Sequence, residues 1–357
     1  MIKKIIAAAL AAVIASAACG CSDEGKTSLS PLDSSSGSDS GAVTSPPKDD
    51  SSIPAATILT DASSKAEKTT KATTAKPKPT PVAVEMQPIY DSAAWFSKVN
   101  TVTSNEELKA AITKLDELIN KMGSNVGFAY QDLTNGVTIS YNANKEFQTC
   151  STIKVPYCKA LLENGTDLDE LVTISKIYQD AAPEEGHLNG SDLNKQYSVR
   201  KLIENSVRLS DNTAFINLIN KYGRWVFNSM EYKKGINILL YEEYYFAMAT
   251  ANEMLKSYKD IYEYSLTDER GKWLMQLMTE TSFNEQISAA LGKKYSVAHK
   301  YGSDQETNSY SDCAICFAER PFVLCIFTEQ RPETDEANQY FRDLASTFDK
   351  LNEVILS

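Results

Sequence analysis

Apolar residues recur at helical spacing near both ends of the region that follows residue 87. The two sets are Leu108, Ile112, Leu115, Ile119 and Met122, and Phe341, Leu344, Phe348, Leu351 and Ile355. Side chains spaced by three and four residues lie on one face of an α-helix, so each set predicts an amphipathic helix. Residues 104–107 have the Ser-x-x-Glu pattern of a capping box, which predicts where the first helix begins.

Shorter segments with alternating or β-branched apolar residues predict strands. They are residues 126–130, 137–141, 295–301, 311–318 and 322–328. The region between residues 152 and 290 is mostly helical in pattern. We therefore predict an α+β fold: both chain ends build a five-stranded antiparallel sheet, flanked by terminal helices, with an inserted all-helical lobe. A cleft is expected where the sheet meets the lobe.

The first 21 residues have the pattern of an export signal. A short basic start is followed by an apolar run at residues 5–18, which is too short to span a bilayer. Small residues precede Cys19, and this arrangement resembles a bacterial lipoprotein signal in which Cys19, or alternatively Cys21, becomes lipidated. The resemblance implies export and a lipid anchor on the outer face of the cytoplasmic membrane. An ordinary cleaved signal peptide is the alternative.

Residues 22–87 differ in composition from the rest of the chain. They contain no Phe, Trp or Tyr and are rich in Ser, Thr, Pro and Lys. Such a segment cannot bury enough apolar surface to offset the entropy of ordering it, so we predict a disordered tether. The remaining region, residues 88–357, contains all the aromatic residues and is predicted to be one globular domain.

Composition excludes several classes of function. The chain has 36 Lys and Arg against 47 Asp and Glu, a net charge of -11, which argues against nucleic-acid binding. The two histidines are too few for a His-rich zinc site, and no metal or cofactor is expected. Catalysis would instead use Lys, Ser, Tyr or carboxylates. The five cysteines after residue 87 are an odd number, and we interpret most of them as buried thiols.

Ser151 and Lys154 are the first candidate catalytic pair. They are three residues apart at the start of a helical pattern, so their side chains share a face. A neutral lysine there could take the hydroxyl proton of Ser151 as the serine oxygen attacks a carbonyl carbon. This chemistry requires a depressed lysine pKa. Taken alone, however, Ser-x-x-Lys is more often a helix start followed by a surface lysine.

The order of three motifs changes this interpretation. Ser151-x-x-Lys154 is followed by Ser-Asp-Asn at residues 210–212 and by Lys-Tyr-Gly at residues 300–302, which end a predicted strand. Further matching segments are residues 132–136, 199–205 and 250–254. In this order the sequence resembles the penicillin-recognising serine enzymes, and within them the class A β-lactamases and their relatives. The resemblance covers nearly the whole domain and implies their fold.

The resemblance implies a role for each matching residue. Ser151 would be the acylated nucleophile, Lys154 its base or proton relay, and Ser210 the hydroxyl that passes a proton to the leaving nitrogen. Asn212 would bind the substrate's amide carbonyl, and Lys300 would supply positive potential for a substrate carboxylate. Gly302 would let the strand approach the substrate, and the backbone N–H groups of Ser151 and Ser303 would form the oxyanion hole. Asp211 would organise the loop.

The sequence departs from the family pattern at two places. Tyr301 replaces the usual Ser or Thr whose hydroxyl binds the substrate carboxylate, a function that Ser303 could partly assume. The Glu and Asn that hold the deacylating water in class A enzymes have no match, because Phe246 and Ala247 lie four residues after Glu242 and Glu243. Either glutamate is a candidate substitute base, and the alternative is that neither acts. We therefore expect acylation to be easier than deacylation.

Two functions remain open. The first is a membrane-tethered serine hydrolase that forms an acyl-enzyme with a β-lactam or a D-amino-acid peptide-like amide, with weak β-lactamase turnover. Its partners would be a small-molecule or peptide substrate, the membrane and peptidoglycan. The alternative is a non-hydrolytic cell-surface binding or scaffolding protein that retains the fold. His299, next to Lys300, should face away from the cleft and is interpreted as a packing or hydrogen-bonded residue. His187 could lie near the rim of the cleft, but nothing in the sequence requires it.

Overall fold

A computed structural model gives the structure of the protein and describes residues 105–178 and 185–354. The predicted signal, the tether, Cys19, Cys21 and the start of the predicted domain lie outside these residues and stay predictions. Within the two described ranges, no helix is both long enough and apolar enough to cross a bilayer.

The described residues form nine α-helices and nine strands. The helices are α1 (Glu106–Met122), α2 (Lys154–Glu163), α3 (Val199–Glu204), α4 (Asn212–Tyr222), α5 (Trp225–Lys233), α6 (Ala251–Thr267), α7 (Glu269–Thr279), α8 (Ile287–Leu291) and α9 (Asp335–Val354). The strands are β1 (Val126–Asp132), β2 (Thr138–Tyr141), β3 (Glu146–Gln148), β4 (Leu171–Thr173), β5 (Gln196–Ser198), β6 (Met248–Thr250), β7 (Val297–Asp304), β8 (Ser309–Cys316) and β9 (Phe322–Glu329).

The main sheet joins the two ends of the domain. Its five strands are antiparallel and follow the order β2-β1-β9-β8-β7. Strand β1 pairs with β9, so that Tyr130 lies opposite Leu324. The predicted α+β fold, with its five-stranded sheet built from both chain ends, is confirmed. Strand β7, which carries the Lys-Tyr-Gly motif, lies at one edge of the sheet.

Both faces of the sheet are covered, as the sequence of β9 shows. Val323, Cys325 and Phe327 belong to the apolar core shared with the helical lobe. The alternate residues of the strand, Phe322, Leu324 and Ile326, belong to the core shared with the terminal helices. Because successive strand side chains point to opposite faces, a strand buried on both faces is apolar throughout.

The two terminal helices pack together on one face of the sheet. The apolar residues predicted for α9 are buried as far as Leu351, and Ile355 lies outside the described residues. At the start of α1 the N-cap is Asn105, whose side chain accepts hydrogen bonds from the backbone of Glu107 and Leu108. The predicted capping box at residues 104–107 therefore misplaces the cap by one residue, because Asn is as good a cap as Ser.

The inserted region, predicted to be all-helical, is mainly helical, but three short strands lie within it and a fourth, β3, lies just before it. Strand β4 pairs with β5, and β3 pairs with β6, placing Phe147 opposite Ala249. Each of these strands has three residues, too few for an alternating pattern to be recognised. The β3–β6 pair matters for the site, since it holds the end of the loop after Glu243 beside the Ser151 segment.

The five described cysteines are free and buried. Cys313 and Cys325 are direct cross-strand neighbours in the sheet. Burial raises the pKa of the Cys313 thiol well above its usual value, which keeps that group protonated. The prediction of buried thiols is confirmed for these residues.

A cluster of charges lies inside the helical lobe, between α2, α5 and α6. The ammonium of Lys159 contacts Asp260 and lies 2.5 Å from Glu163. Lys234 lies 2.6 Å from Glu163 and 2.7 Å from Asp260. Glu231 is buried beside them, and one of its carboxylate oxygens has no hydrogen-bond partner among the described residues. Burial, reinforced by Asp260, raises the pKa of Glu231 to about 7.

Glu231→Gln should change how stability depends on pH. The folded protein keeps the Glu231 proton between the usual carboxyl pKa of 4.5 and about 7, whereas the unfolded chain loses it. The free energy of unfolding of the wild type should therefore fall across this interval, by up to about 3 kcal/mol. Denaturant unfolding at a series of pH values should show that the variant lacks this loss. Glu263→Gln, a more exposed position in α6, is the matched control. Equal pH dependence of wild type and Glu231→Gln would contradict the prediction.

Candidate active site

Ser151 lies in a one-turn 3-10 helix, Cys150–Ile153, that leads directly into α2. Lys154 is the first residue of α2, and its backbone N–H donates to the carbonyl of Ser151. Cys150 has a left-handed backbone conformation with φ of 46°, which is uncommon for a residue with a side chain. Strained backbone of this kind is often found beside functional groups. The side chain of Ser151 is partly exposed, while that of Lys154 is fully buried.

The ammonium group of Lys154 joins the first two motifs. It donates to the backbone carbonyl of Ser210, to the Ser210 hydroxyl at 3.2 Å and to Asn212 Oδ1 at 2.7 Å. Residues more than fifty positions apart in sequence thus meet within hydrogen-bonding distance. The structure therefore brings Lys154, Ser210 and Asn212 together.

A π-helical turn, Asn205–Leu209, presents Ser210 to Lys154. Ser210 follows this turn with φ of 60°, and its backbone N–H donates to the Asn205 carbonyl. Single π turns within helices often mark functional sites, since the extra residue shifts the side chains that follow. The sequence did not predict this turn.

Asp211 fixes the loop that follows. One of its carboxylate oxygens caps α4 by accepting from the Ala214 N–H at 3.0 Å. The other accepts from the Leu188 N–H at 2.9 Å and from the Asn205 amide at 3.0 Å. Asp211 is buried, so these three donors satisfy a charge that would otherwise be costly. Its predicted role as an organiser of the loop is confirmed.

Strand β7 brings the third motif to the Ser151 turn. A Cβ atom at Gly302 would lie 2.7 Å from the Ser151 nitrogen and 2.8 Å from Cys150 Cβ, so only glycine fits. Lys300 lies two residues earlier and therefore on the same face of the strand. It is buried, and its ammonium donates to the Tyr301 carbonyl at 2.9 Å. The motif residues Ser151, Lys300 and Gly302 thus share one side of the cleft.

Tyr301 and Ser303 occupy the other face of β7. Tyr301 is nearly buried, and its ring centroid lies 4.4 Å from that of Phe283. The hydroxyl of Ser303 donates to the Glu333 carboxylate at 2.6 Å. The structure places both residues beside the motif, and their contact with substrate stays a prediction.

The two histidines have structural partners. His299 is buried, with Nδ1 3.0 Å from Asp312 and Nε2 3.0 Å from the Thr281 hydroxyl. Its interpretation as a hydrogen-bonded packing residue is confirmed. His187 Nε2 lies 2.7 Å from the carbonyl of Leu209, the residue before Ser210. His187 therefore lies next to the Ser210 loop.

Phe246 is a site residue whose position the sequence did not reveal. Its ring centroid lies 6.0 Å from Lys154 Nζ, and the centroid of the Phe215 ring lies 5.8 Å from the same nitrogen. The backbone carbonyl of the next residue, Ala247, accepts from the N–H and the hydroxyl of Thr149, both at 2.9 Å, and the Ala247 N–H lies 3.2 Å from the same hydroxyl. Thr149 lies two residues before Ser151. The loop thus presents an aromatic ring to Lys154, whereas Glu242 and Glu243 are exposed. The only indication in the sequence was that Phe, and not Asn, lies four residues after Glu242.

The neighbouring thiol does not compete with Ser151 as the nucleophile. Burial, with a contribution from Asp304, raises the pKa of Cys150 far above its usual value. The thiolate is the reactive form of cysteine, so Cys150 stays inert at neutral pH. In the part of the chain that the structure describes, no three His, Cys, Asp or Glu side chains are grouped to hold a metal ion.

Solved structures share this architecture. A β-lactamase from Sphaerobacter thermophilus matches with a TM-score of 0.57 at 18% identity, over 68% of this chain and 97% of its own. A β-lactamase from Burkholderia vietnamiensis matches with a TM-score of 0.58 at 20% identity, over 69% and 97%. A mutant of PBP-A, solved as an acyl-enzyme complex with penicillin G, matches with a TM-score of 0.57 at 21% identity, over 69% and 97%. At these identities the matches show the fold.

Membership of a family rests on the sequence itself. The family model described as the Beta-lactamase enzyme family matches residues 108–352, which include every motif residue of the cleft. The fold, the convergence of Ser210 and Asn212 on Lys154, and the approach of Gly302 to Ser151 agree with that match. The chain belongs to the β-lactamase enzyme family.

Proposed function

We propose that the protein is a membrane-tethered, extracytoplasmic serine hydrolase that forms an acyl-enzyme at Ser151 with a β-lactam or a D-amino-acid peptide-like amide and releases it slowly. The observation that carries the proposal is the hydrogen bonding of buried Lys154 to Ser210 and Asn212, directly behind the Ser151 turn. The acyl-enzyme of PBP-A with penicillin G supports it, because that relative has the same fold. Export and tethering rest on the N-terminal sequence.

Acylation would proceed by transfer of one proton. The Ser151 oxygen attacks the substrate carbonyl carbon as Lys154, in its neutral form, accepts the hydroxyl proton. The proton passes through the Ser210 hydroxyl to the amide nitrogen, and the C–N bond breaks. The product is an ester on Ser151 and a free amine.

The rest of the cleft would bind and stabilise the reacting groups. Gly302 brings the strand against the Ser151 nitrogen, which supports an oxyanion hole made by the backbone N–H groups of Ser151 and Ser303. Asn212 would hold the substrate's amide carbonyl. Lys300, on the same face as Gly302, would supply positive potential to the cleft.

Deacylation is expected to be slow because the loop that could carry a base presents a hydrocarbon instead. Phe246 lies against Lys154, and a phenyl ring can neither orient nor deprotonate a water molecule. Glu242 and Glu243 are exposed, so neither is held in the apolar surroundings of Lys154. The same feature favours the second candidate, a cell-surface binding protein that keeps the fold without turnover.

Penicillin should form a stable covalent adduct with the protein. Incubation of the purified full-length chain with a penicillin should add the mass of one intact penicillin in the intact-mass spectrum. Ser151→Ala should show no adduct, since it lacks the attacking oxygen. Rapid hydrolysis without an accumulated adduct would contradict slow deacylation. Absence of any adduct, with an activated ester as well as with penicillin, would favour the binding protein.

Phe246→Glu should accelerate release of the adduct. A carboxylate placed beside Lys154 could activate water, and a positioned general base contributes about 100-fold at the lower end of its range. The decay of the adduct after removal of free penicillin measures this rate. Phe246→Gln is the control, because the Gln side chain has the size of Glu but its amide is not a base. The adduct of this variant should decay at the wild-type rate. Equal rates for the Glu and Gln variants would contradict the idea that a missing carboxylate at this position limits deacylation.

Gly302→Ala should slow acylation of Ser151. The added Cβ would lie 2.7 Å from the Ser151 nitrogen, so the strand or the turn must move. Misplacement of a reacting group by about 1 Å can cost about 100-fold in rate, and the rate of adduct formation should fall to that degree. Gly190→Ala, which would have nothing within 4 Å of its Cβ, is the control. An unchanged rate in Gly302→Ala would argue against the proposed oxyanion hole.

A further inference from the structure

We propose that a surface of the helical lobe binds an acidic glycan, that is, a chain of sugars that carries carboxylate groups. The surface, called here the cation–aromatic surface, consists of two cations and three aromatic side chains: Lys176, Arg224, Trp225, Tyr244 and Tyr245. The inference goes beyond the proposed function, because binding at this surface involves no acyl transfer. Its basis is the convergence of two cations without a carboxylate partner on one tyrosine ring, next to exposed aromatic side chains.

The two cations meet at the ring of Tyr245. The ammonium nitrogen of Lys176 lies 4.9 Å from the ring centroid and donates to the Tyr245 hydroxyl at 3.3 Å. The guanidinium carbon of Arg224 lies 5.1 Å from the same centroid. An aromatic ring attracts a cation, but two cations at one ring also repel each other. The arrangement therefore favours the approach of a negative charge.

The protein itself does not neutralise these cations. Among the described residues, no carboxylate forms an ion pair with Lys176 or Arg224, although the chain has 47 Asp and Glu. Lys221, at the end of α4, by contrast lies 2.7 Å from Glu170. Arg224 donates from Nε to the Tyr244 carbonyl at 3.0 Å, and its guanidinium has four further N–H groups. These groups can donate to an acidic ligand.

The polypeptide around the cations is held in place by α4. The side chain of Asn217 accepts from the backbone N–H of Lys176 at 3.2 Å and donates to its carbonyl at 2.7 Å. The Tyr245 hydroxyl donates to the Asn220 side chain at 3.1 Å. A surface whose groups are already positioned loses less conformational entropy when a ligand binds.

Two exposed aromatic rings flank the cations. Trp225 follows Arg224 in the chain and is 78% exposed, whereas tryptophan is highly buried on average. Tyr244, whose carbonyl accepts from Arg224, is 63% exposed. One face of a sugar ring presents C–H groups that pack on an aromatic ring, while the sugar hydroxyl groups need polar partners. Aromatic rings beside unpaired cations therefore suit a sugar that carries a carboxylate.

Other anionic partners fit this surface less well. The net charge of -11 disfavours binding to nucleic acid and to anionic membranes. Glu242 and Glu243, which are exposed on the same loop as Tyr244, would also repel the phosphates of a lipid or a nucleic acid. A glycan is compatible with these carboxylates, because its hydroxyl and amide groups can donate to them.

Cosedimentation of the full-length chain with insoluble peptidoglycan tests the proposal. Peptidoglycan is a glycan that carries carboxylates, and the same material with its carboxylates converted to amides is the matched neutral ligand. Ser151→Ala should bind peptidoglycan as tightly as the wild type does, because the interaction requires no acyl-enzyme. At low ionic strength the amidated material should bind both proteins at least about fivefold more weakly, since it offers no anion to the two cations.

Variants of the surface should weaken binding to peptidoglycan. Lys176→Gln and Arg224→Gln should each lower the affinity about fivefold, the upper end for an exposed ion pair. Trp225→Ala should lower it by a similar factor through the loss of ring packing. Lys201→Gln removes an exposed charge from α3, and Leu266→Ala removes an exposed apolar side chain from α6. These two controls should bind as the wild type does.

The outcomes that overturn the proposal are separate from those that test acylation. Affinities of Lys176→Gln and Arg224→Gln equal to that of the Lys201→Gln control would overturn the role of the surface. Loss of binding in Ser151→Ala would place the glycan in the catalytic cleft and would also overturn it. An effect of Arg224→Gln on binding to vesicles of anionic phospholipid, with glycan binding unchanged, would assign the surface to a membrane instead. Absence of the penicillin adduct in the wild type would overturn the proposed function alone.

Discussion

The burial of the Lys154 side chain is the constraint on which the cleft depends. An amine removed from water must find hydrogen-bond acceptors inside the protein, since an unsatisfied polar group there is costly. The acceptors come from Ser210 and Asn212, which lie far from Lys154 in the chain. The π turn before Ser210, its left-handed backbone and the three hydrogen bonds of Asp211 hold these acceptors in place. Loss of any of these supports would move the Ser-Asp-Asn loop away from the lysine.

Much of this arrangement was accessible from the sequence. The sheet and the terminal helices were predicted from periodic apolar residues, because an element that buries one face has apolar residues at regular spacing in the sequence. The residues of the cleft were found from three motifs in a fixed order, and the structure brings Lys154, Ser210 and Asn212 into contact. No single motif would have sufficed, since Ser-x-x-Lys alone is common.

The remaining features depend on contacts between distant segments, which local patterns do not record. In the sequence, Phe246 was notable only because it stands where the family pattern has Asn. Its position against Lys154 depends on the short β3–β6 pair. Glu333 is an ordinary polar residue in the sequence, and its bond to Ser303 arises because β7 and the start of α9 come together. Phe246 alters the character of the cleft by adding an apolar wall beside Lys154.

The pairing of β1 with β9 has a consequence for how the domain is assembled. Val126 lies opposite Thr328, so the first strand of the sheet has its partner almost at the end of the chain. During synthesis from the N-terminus, β1 can pair with β2 but must wait for nearly the whole domain before its other edge is satisfied. Native contacts between such distant residues slow folding, because a long loop must close before they form. Truncation after β8 would therefore remove a central strand and leave β1 and β8 each with an unpaired edge.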